Sequence, residues 1–279
     1  MYETYWGLNE PPFSLTPDPR FLYLSRQHQE ALSMLQYAIE RNKGVALLSG
    51  EMGLGKTTVC RRFLASLDPI ENRVVNIVDP NMTPVQILRE ILDQLGELID
   101  SNDRQQLSSR LHRVGHEFYN RGSRIVVLVD EAHLIRSEQT FEELRLLLNC
   151  TINDSFPISL VLVGQPELRD ILANVPALDQ RIAIRQTLQP LDVRDVELLI
   201  WHRLRTAGYV SDTNPFSPDA IYLMHRYSGG IPRLVTQLAD SVLLSAYFCK
   251  QKVADSFLMH SVICDQSGAG VLIKEKISA

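Results

Sequence analysis

A glycine-rich stretch, Gly50–Thr57 (GEMGLGKT), constrains this chain more than any other feature of its sequence. It matches the pattern G-x-x-x-x-G-K-[ST], follows the apolar run Val45–Leu48 and precedes an amphipathic pattern over 56–66. A loop between a buried strand and a helix can turn its backbone N–H groups around phosphate oxygens, and the helix N-terminus adds partial positive charge. The sequence therefore predicts a phosphate-binding loop at the end of a strand.

The residues of this loop have separate predicted roles in binding ATP and Mg²⁺. Lys56 neutralises phosphate oxygens, and the Thr57 hydroxyl is a ligand for Mg²⁺. A glycine-rich turn that carries a lysine by chance is the alternative, but the flanking strand and helix count against it. The predicted nucleotide-binding residues of the loop are Gly50, Glu51, Met52, Gly53, Leu54, Gly55, Lys56, Thr57 and Thr58.

Two acidic residues directly follow another apolar run, Ile125–Val129. Asp130, at the end of the predicted strand, is placed to hold the Mg²⁺, and Glu131 to polarise the attacking water. Alternatively, the two acids only begin a solvated loop, although the phosphate loop favours the metal and base roles. The letters DEAH over 130–133 also name a helicase group, but no other helicase motif accompanies them.

Short apolar runs alternate with amphipathic patterns over most of the chain. Runs near 45–48, 74–78, 125–129, 158–163 and 183–188 predict strands, and the patterns between them predict helices. This alternation predicts an α/β fold, with a parallel sheet flanked by helices as in P-loop NTPases. Only helical patterns remain from Asp192 onward, which predicts a small all-helical domain.

The predicted division of the chain follows from these patterns. A proline-rich and aromatic start favours an extended segment packed against a globular body. The predicted parts are an N-terminal extended segment (1–25), an α/β nucleotide-binding domain (26–191), a helical lid domain (192–265) and a C-terminal tail (266–279).

Four further polar residues are candidates for sensing the nucleotide. Gln165 follows the strand-like run 158–164 and faces a γ-phosphate or only caps the next helix. Arg181 and Arg185 lie at the edge of the predicted fifth strand, where they either reach a neighbouring subunit's phosphate or are ordinary surface arginines. Arg233 lies in a helix's first turn, where a nearby anion would offset its unfavourable interaction with the helix dipole, and a solvated arginine is the alternative.

Composition narrows the choice of partners and location. The formal net charge of -5 gives no general attraction to nucleic acid or anionic lipid. No apolar run approaches the roughly 18 residues of a membrane span, and the N-terminus lacks a signal sequence.

The cysteines are widely spaced and predicted to be buried, reduced thiols, which favours a cytoplasmic location. They are Cys60, Cys150, Cys249 and Cys264.

The segments GxxGxGKT, VDE, LDQR and GGIPR, in this order, resemble those of an AAA+ ATPase, which has an α/β nucleotide domain followed by a helical lid. By this resemblance Gln165 takes the sensor-1 position, where Asn, Ser or Thr is more usual, and Arg233 takes the sensor-2 position. Arg181 takes the arginine-finger position, with Arg185 as the fallback. The predicted catalytic residues are Glu131, Lys56, Arg181, Gln165 and Arg233.

A narrower resemblance is carried by YWGLNEPPFSLTPDPRFLYLSRQHQEAL at the N-terminus, together with LVGQPELR and DQRIAIR. These stretches resemble the ExeA-like ATPases, which include a type IV pilus branch. The resemblance implies a Mg-dependent ATP hydrolase that couples ATP turnover to assembly of a bacterial type II secretion or type IV pilus apparatus. It also implies a homo-oligomer, either a ring or a dimer with a trans arginine finger, and a protein partner in that machinery.

Two further expectations come from this family. Some members carry a membrane span and a peptidoglycan-binding domain after the ATPase, so the chain is expected to be either the cytoplasmic part of an inner-membrane protein or a short pilus-type member. The aromatic start, especially Phe21–Leu24, is expected against the adenine, with core packing as an equal alternative.

Two other functions stay open from the sequence. A DNA-associated AAA+ regulator, similar to the transposition ATPases, is the first, although the acidic helix start over 137–143 and the negative net charge count against nucleic acid as a partner. The second is a nucleotide-gated scaffold that hydrolyses ATP negligibly as an isolated chain. It is compatible with the leading hypothesis, because a finger supplied in trans predicts a slow monomer.

Overall fold

The computed structural model of the chain describes residues 2–14, 18–97, 99–149 and 157–268. By their contacts, these residues form two compact units. The α/β unit comprises Gln27–Met52 and Lys56–Leu188, and the helical unit comprises the described residues of 1–26, Gly53–Gly55 and 189–279.

Five parallel strands form the sheet of the α/β unit, in the order β2-β3-β4-β1-β5. β1 and β4 are buried along their whole length, as the apolar runs predict for strands covered on both faces. The predicted α/β fold with a parallel sheet is confirmed. The strands are β1 (Val45–Ser49), β2 (Asn72–Ile77), β3 (Arg124–Val129), β4 (Ile158–Gly164) and β5 (Ile182–Thr187).

Most of the helices lie at the amphipathic patterns that predict them. Thr83, for example, caps the helix that follows it, and its side chain exchanges hydrogen bonds with Gln86 in a capping box. In chain order the helices are α1 (Tyr2–Trp6), α2 (Arg26–Glu40), α3 (Lys56–Ser66), α4 (Pro84–Gln94), α5 (Arg104–Asn120), α6 (Glu138–Leu147), α7 (Leu168–Ala173), α8 (Pro176–Asp179), α9 (Val193–Thr206), α10 (Pro218–Ser228), α11 (Pro232–Phe248) and α12 (Ser256–Gly268).

The core of the α/β unit consists of the sheet and the apolar faces of its helices. Side chains such as Leu88, Phe141 and Leu160 are at most 1% exposed. Burying one such side chain stabilises the fold by about 1.5–3 kcal/mol relative to leaving it in water. This packing holds the strand ends, from which the candidate site is built, in fixed positions.

The N-terminal segment differs from the predicted extended chain. Residues Tyr2–Trp6 form the short helix α1, whose Tyr2 and Trp6 both lie in the core of the helical unit. A helix puts these residues, four apart, on one face, so both rings can be buried together. The Trp6 indole donates to the Leu243 carbonyl at 3.2 Å, and the Tyr2 hydroxyl donates to Asp240 at 2.5 Å. The start of the segment, Tyr2–Trp6, is therefore a helical part of this core.

Phe21 also lies in the core of the helical unit, where it is 8% exposed. The hydroxyl of Tyr23 donates to the Asp195 carboxylate at 2.8 Å. Core packing was one of the two interpretations of Phe21–Leu24, and these contacts agree with it. A contact with adenine stays a prediction.

The cysteines correct another expectation. Cys60 is buried as predicted, but Cys249 and Cys264 are exposed. Cys249 is the C-cap residue of α11, and Cys264 lies on an outward position of α12, so neither is covered despite its apolar neighbours in sequence. Cys150 lies outside the described residues.

Among the helices that the structure describes, none is long and apolar enough to cross a membrane.

Two adjacent glycines of the helical unit provide a test of its packing. Gly229 and Gly230 have φ angles of 59° and 71°, a region that costs a residue with a side chain about 1–2 kcal/mol. A Cβ at Gly230 would lie 2.2 Å from the carbonyl oxygen of Leu191, whereas a Cβ at Gly229 would meet no described atom within 4 Å.

We therefore expect Gly230→Ala to lower the free energy of unfolding by about 1–3 kcal/mol more than Gly229→Ala, because only the first creates a backbone clash. Urea denaturation of the two variants measures the difference. Equal losses of stability would show that the close approach of Leu191 to Gly230 is wrong.

Candidate functional site

The glycine-rich loop closes around the side chain of Lys56. Gly53 and Gly55 have φ angles of 86° and 95°, which glycine adopts without strain. Lys56 is only 5% exposed, and its ammonium group donates to the carbonyls of Gly50 at 2.8 Å and Glu51 at 3.0 Å. A buried positive charge therefore lies inside the loop, where the sequence predicts a cation for phosphate oxygens.

The other predicted loop residues differ in their exposure. This is expected of a loop that offers backbone N–H groups rather than side chains to a ligand. Glu51, Met52 and Thr57 are exposed, Gly53, Gly55 and Thr58 are partly buried, and Leu54 is buried.

Thr57 joins the loop to the end of β3. Its hydroxyl donates to Oδ2 of Asp130 at 3.2 Å, and Asp130 is 7% exposed. The other carboxylate oxygen, Oδ1, accepts the backbone N–H of Glu131 at 2.9 Å, and the Asp130 N–H donates to the Ile77 carbonyl at 2.9 Å. The two predicted metal ligands therefore lie in direct contact at the carboxyl end of the sheet.

The negative charge of Asp130 also acts on a neighbouring thiol. Cys60 lies in α3, one helical turn after Lys56, and it is buried. Burial is the larger cause and the Asp130 carboxylate a smaller one in raising the pKa of Cys60 well above that of a free thiol. The thiol is therefore neutral at physiological pH, and it adds no negative charge beside the loop.

Glu131 follows Asp130 in an unusual backbone conformation. Its φ and ψ angles are 50° and 36°, in the left-handed region that costs a residue with a side chain about 1–2 kcal/mol. Strained residues of this kind occur often at functional sites. Its carboxyl group is 38% exposed, so it is open to water, as a residue that polarises a water molecule must be.

Gln165 and Glu131 meet at a third residue, His133, for which no sequence motif of this chain predicts a role. The imidazole Nδ1 lies 3.4 Å from Oε2 of Glu131 and 3.4 Å from the backbone N of Gln165. The imidazole Nε2 lies 3.0 Å from the side-chain nitrogen of Gln165. The ends of β3 and β4 are neighbours in the sheet, and this adjacency brings the three residues together.

The two candidate finger arginines have different partners. Arg185 pairs with the carboxylate of Asp179 at 2.9 Å and also donates to its carbonyl. Arg181 donates to the Arg145 carbonyl at 3.4 Å and to the Asn149 side chain at 2.8 Å. Among the described residues, no carboxylate pairs with Arg181, so its positive charge is left available for an anion.

Arg233 lies in the helical unit, in the first turn of α11. Gly53, which groups with this unit by its contacts, lies against the same turn. A Cβ at Gly53 would lie 3.3 Å from the Arg233 Cβ and 2.8 Å from Cγ2 of Ile231. Arg233 itself is exposed.

The arrangement fits a metal-bound phosphate group. A hydroxyl and a carboxylate are oxygen ligands of the kind that Mg²⁺ prefers, and Mg²⁺ is usually held by few protein ligands, together with water and phosphate oxygens. Within the described residues, no cluster of three or more His, Cys, Asp or Glu side chains could hold a metal alone. Thr57 and Asp130 could hold a metal together with phosphate oxygens of a ligand near Lys56.

Comparison with known proteins agrees with this geometry. A family described as AAA domain matches residues 39–172, which include the loop, Asp130, Glu131 and Gln165. General secretion pathway protein A of Aeromonas hydrophila is 41% identical over 252 residues, covering 88% of this chain and 45% of the relative. The chain thus spans less than half the length of this relative.

Solved structures are similar in fold. The Aeropyrum pernix ORC2 protein, in its ADPNP-ADP complexes, matches with a TM-score of 0.65 at 17% identity, over 94% of this chain and 72% of that one. Drosophila ORC bound to DNA matches with a TM-score of 0.67 at 16% identity, over 92% of this chain and 64% of that one. At such low identity these likenesses concern the fold alone.

Proposed function

The chain belongs to the ExeA-like AAA+ family, and we propose that it is a Mg-dependent ATP hydrolase whose turnover drives assembly of a type II secretion or type IV pilus apparatus. One contact supports the hydrolase most directly, the hydrogen bond of 3.2 Å from Thr57 to Asp130 beside the buried ammonium of Lys56. It brings the metal ligands and the phosphate cation together, which catalysis of phosphoryl transfer requires.

The proposed reaction assigns one task to each residue. The loop residues and Lys56 would bind the phosphates, while Thr57 and Asp130 would hold a Mg²⁺ ion, which would supply charge neutralisation. Glu131 accepts the proton of the attacking water. The proposed sensors are Gln165, at the end of β4, and Arg233, whose turn lies against Gly53.

The proposed role in secretion or pilus assembly rests on the 41% identity to general secretion pathway protein A. That protein's name concerns secretion, and the shared part is less than half of it. The proposal includes a cytoplasmic location and a protein partner in the apparatus. Because the formal charge of -5 disfavours a polyanion, nucleic acid is not part of the proposal.

The proposed enzyme is a homo-oligomer in which Arg181 completes the site of a neighbouring subunit. An arginine aimed at the transferred phosphoryl group stabilises the charge of the transition state. Arg181 is the better candidate, because Arg185 already pairs with Asp179. Among the described residues, Arg181 contacts the Arg145 carbonyl and the Asn149 side chain but no carboxylate.

Replacement of Glu131 by glutamine tests the proposed base. We expect Glu131→Gln to lower kcat by about 10²–10⁴-fold, the usual contribution of a general base, and to leave the Kd for ATP nearly unchanged. Turnover is measured by phosphate release and binding by calorimetry. Glu138→Gln, which changes an exposed acid at the start of α6, is the control and should keep the parental kcat. Parental turnover in Glu131→Gln would contradict the assignment.

Replacement of the two arginines tests the finger. We expect Arg181→Ala to lower kcat about 10³-fold, the lower end of the range for arginine fingers, and Arg185→Ala to have little effect. Turnover per subunit of the parental chain should rise with protein concentration, because association completes each site.

A mixing experiment shows whether the arginine acts in trans. Arg181→Ala subunits keep Glu131, and Glu131→Gln subunits keep Arg181, so a mixture of these two inactive variants should regain turnover. A mixture that stays as slow as its components, together with a strong effect of Arg185→Ala, would exclude Arg181 as the finger.

A further inference from the structure

His133 has no role in the reaction proposed above, yet it lies between Glu131 and Gln165, which both have one. It belongs to the 3-10 turn Ala132–Leu134, which directly follows Glu131, and its side chain is 12% exposed. Both of its ring nitrogens face polar groups of Glu131 or Gln165 at 3.0–3.4 Å. The imidazole therefore connects the proposed base to the proposed sensor.

The two neighbours of Nδ1 require opposite protonation states of this nitrogen. The carboxylate of Glu131 can only accept a hydrogen bond, so it requires a hydrogen on Nδ1. The backbone N–H of Gln165 can only donate, so it requires a lone pair on Nδ1. A neutral imidazole carries one N–H, and it can satisfy only one of the two neighbours at a time.

The side-chain amide of Gln165 can decide between the two states, because it faces the other ring nitrogen. Its NH₂ group, 3.0 Å from Nε2, donates to a lone pair there and leaves the ring hydrogen on Nδ1, toward Glu131. If the amide group rotates by half a turn, its oxygen faces Nε2 instead. The ring hydrogen would then move from Nδ1 to Nε2, where this oxygen accepts it. Nδ1 would then accept the backbone N–H of Gln165 and would no longer hold Glu131.

Gly164 makes this close approach possible. A Cβ at this position would lie 3.3 Å from both the backbone N and Nδ1 of His133, and 2.8 Å from Cδ2 of Leu168. The first two distances are tighter than ordinary van der Waals contact. A side chain at residue 164 would therefore crowd the imidazole at the end of β4.

We propose that His133 is a positioning residue whose tautomer, set by the side-chain amide of Gln165, decides whether the Glu131 carboxylate is held or released. This inference rests on the proposed function, in which Glu131 is the base and Gln165 responds to phosphate. When the NH₂ group of Gln165 turns to an anion, its oxygen faces Nε2 and Glu131 is freed. While the NH₂ group faces Nε2, the hydrogen bond from Nδ1 restrains the base and slows the activation of water.

The tautomer is measured without nucleotide, by imidazole ¹⁵N NMR of the full chain with labelled histidine, at about pH 8, above the ordinary histidine pKa of about 6.5. The chain has seven histidines, and the signals lost in His133→Ala identify this one. We expect hydrogen on Nδ1 in the parental chain and on Nε2 in Gln165→Ala, because the backbone N–H at position 165 remains. The same tautomer in both proteins would overturn the proposal.

Turnover provides a second readout. The direction in which kcat changes in His133→Ala distinguishes a restraint on Glu131 from a purely structural role. His133→Ala removes the restraint, so basal kcat should rise about fivefold, the factor of one ordinary net hydrogen bond, with the Kd for ATP unchanged. His133→Asn, whose side-chain NH₂ can still donate to Glu131, should keep kcat at or below the parental value. His116→Ala, an exposed site on α5, is the matched control. A lower kcat in His133→Ala would overturn the proposal.

Failure of the inference differs from failure of the proposed function. If Glu131→Gln abolishes turnover while His133→Ala leaves it unchanged, the hydrolase stands and the restraint is wrong. If the parental chain does not hydrolyse ATP, the proposed function is wrong, and the nucleotide-free tautomers still decide whether Gln165 controls His133.

Discussion

The hydrogen bond from Thr57 to Asp130 joins two segments that are 73 residues apart in the chain, and the candidate site depends on it. It can form because β1 and β3 both pair with β4 in parallel, so their carboxyl ends lie at one edge of the sheet. Neither segment would be a metal site alone, since each supplies one oxygen ligand. The order of the strands therefore determines which candidate ligand residues meet. Ligand sites of open α/β sheets generally lie at the carboxyl ends of the strands in this way.

Around this contact the fold contains a buried charge, a strained backbone and a ring nitrogen with two competing hydrogen-bond partners. Lys56 is buried against two carbonyls, Glu131 has a left-handed backbone, and Nδ1 of His133 faces both an acceptor and a donor. Such groups are costly to keep unless a ligand or a change of state relieves them. The surrounding core, with β1 and β4 fully buried, supplies the rigidity that maintains them.

Local signals in the sequence predict most of the fold and the centre of the site. The loop at Gly50–Thr57 and the apolar runs are short-range patterns. The structure has a strand at each of the five runs, and a helix begins at Lys56 in the loop. The contact between His133 and Gln165, 32 residues apart, could not be predicted, because it depends on β3 and β4 being neighbours. The partners of Arg181 and the exposure of Cys249 likewise depend on tertiary packing. The roles of the site residues and the domain boundaries stay predictions.

The central claim is that Lys56 and the segments beside it bind one magnesium-bound triphosphate. Calorimetric titration with Mg-ATP tests it most directly, in the parental chain, Lys56→Met and Lys43→Met, whose lysine is exposed and lies over the ring of Tyr37. Loss of a charge-assisted contact to phosphate should raise the Kd of Lys56→Met about 10–100-fold, and Lys43→Met should bind like the parental chain. Equal affinity of all three proteins for Mg-ATP would contradict the account.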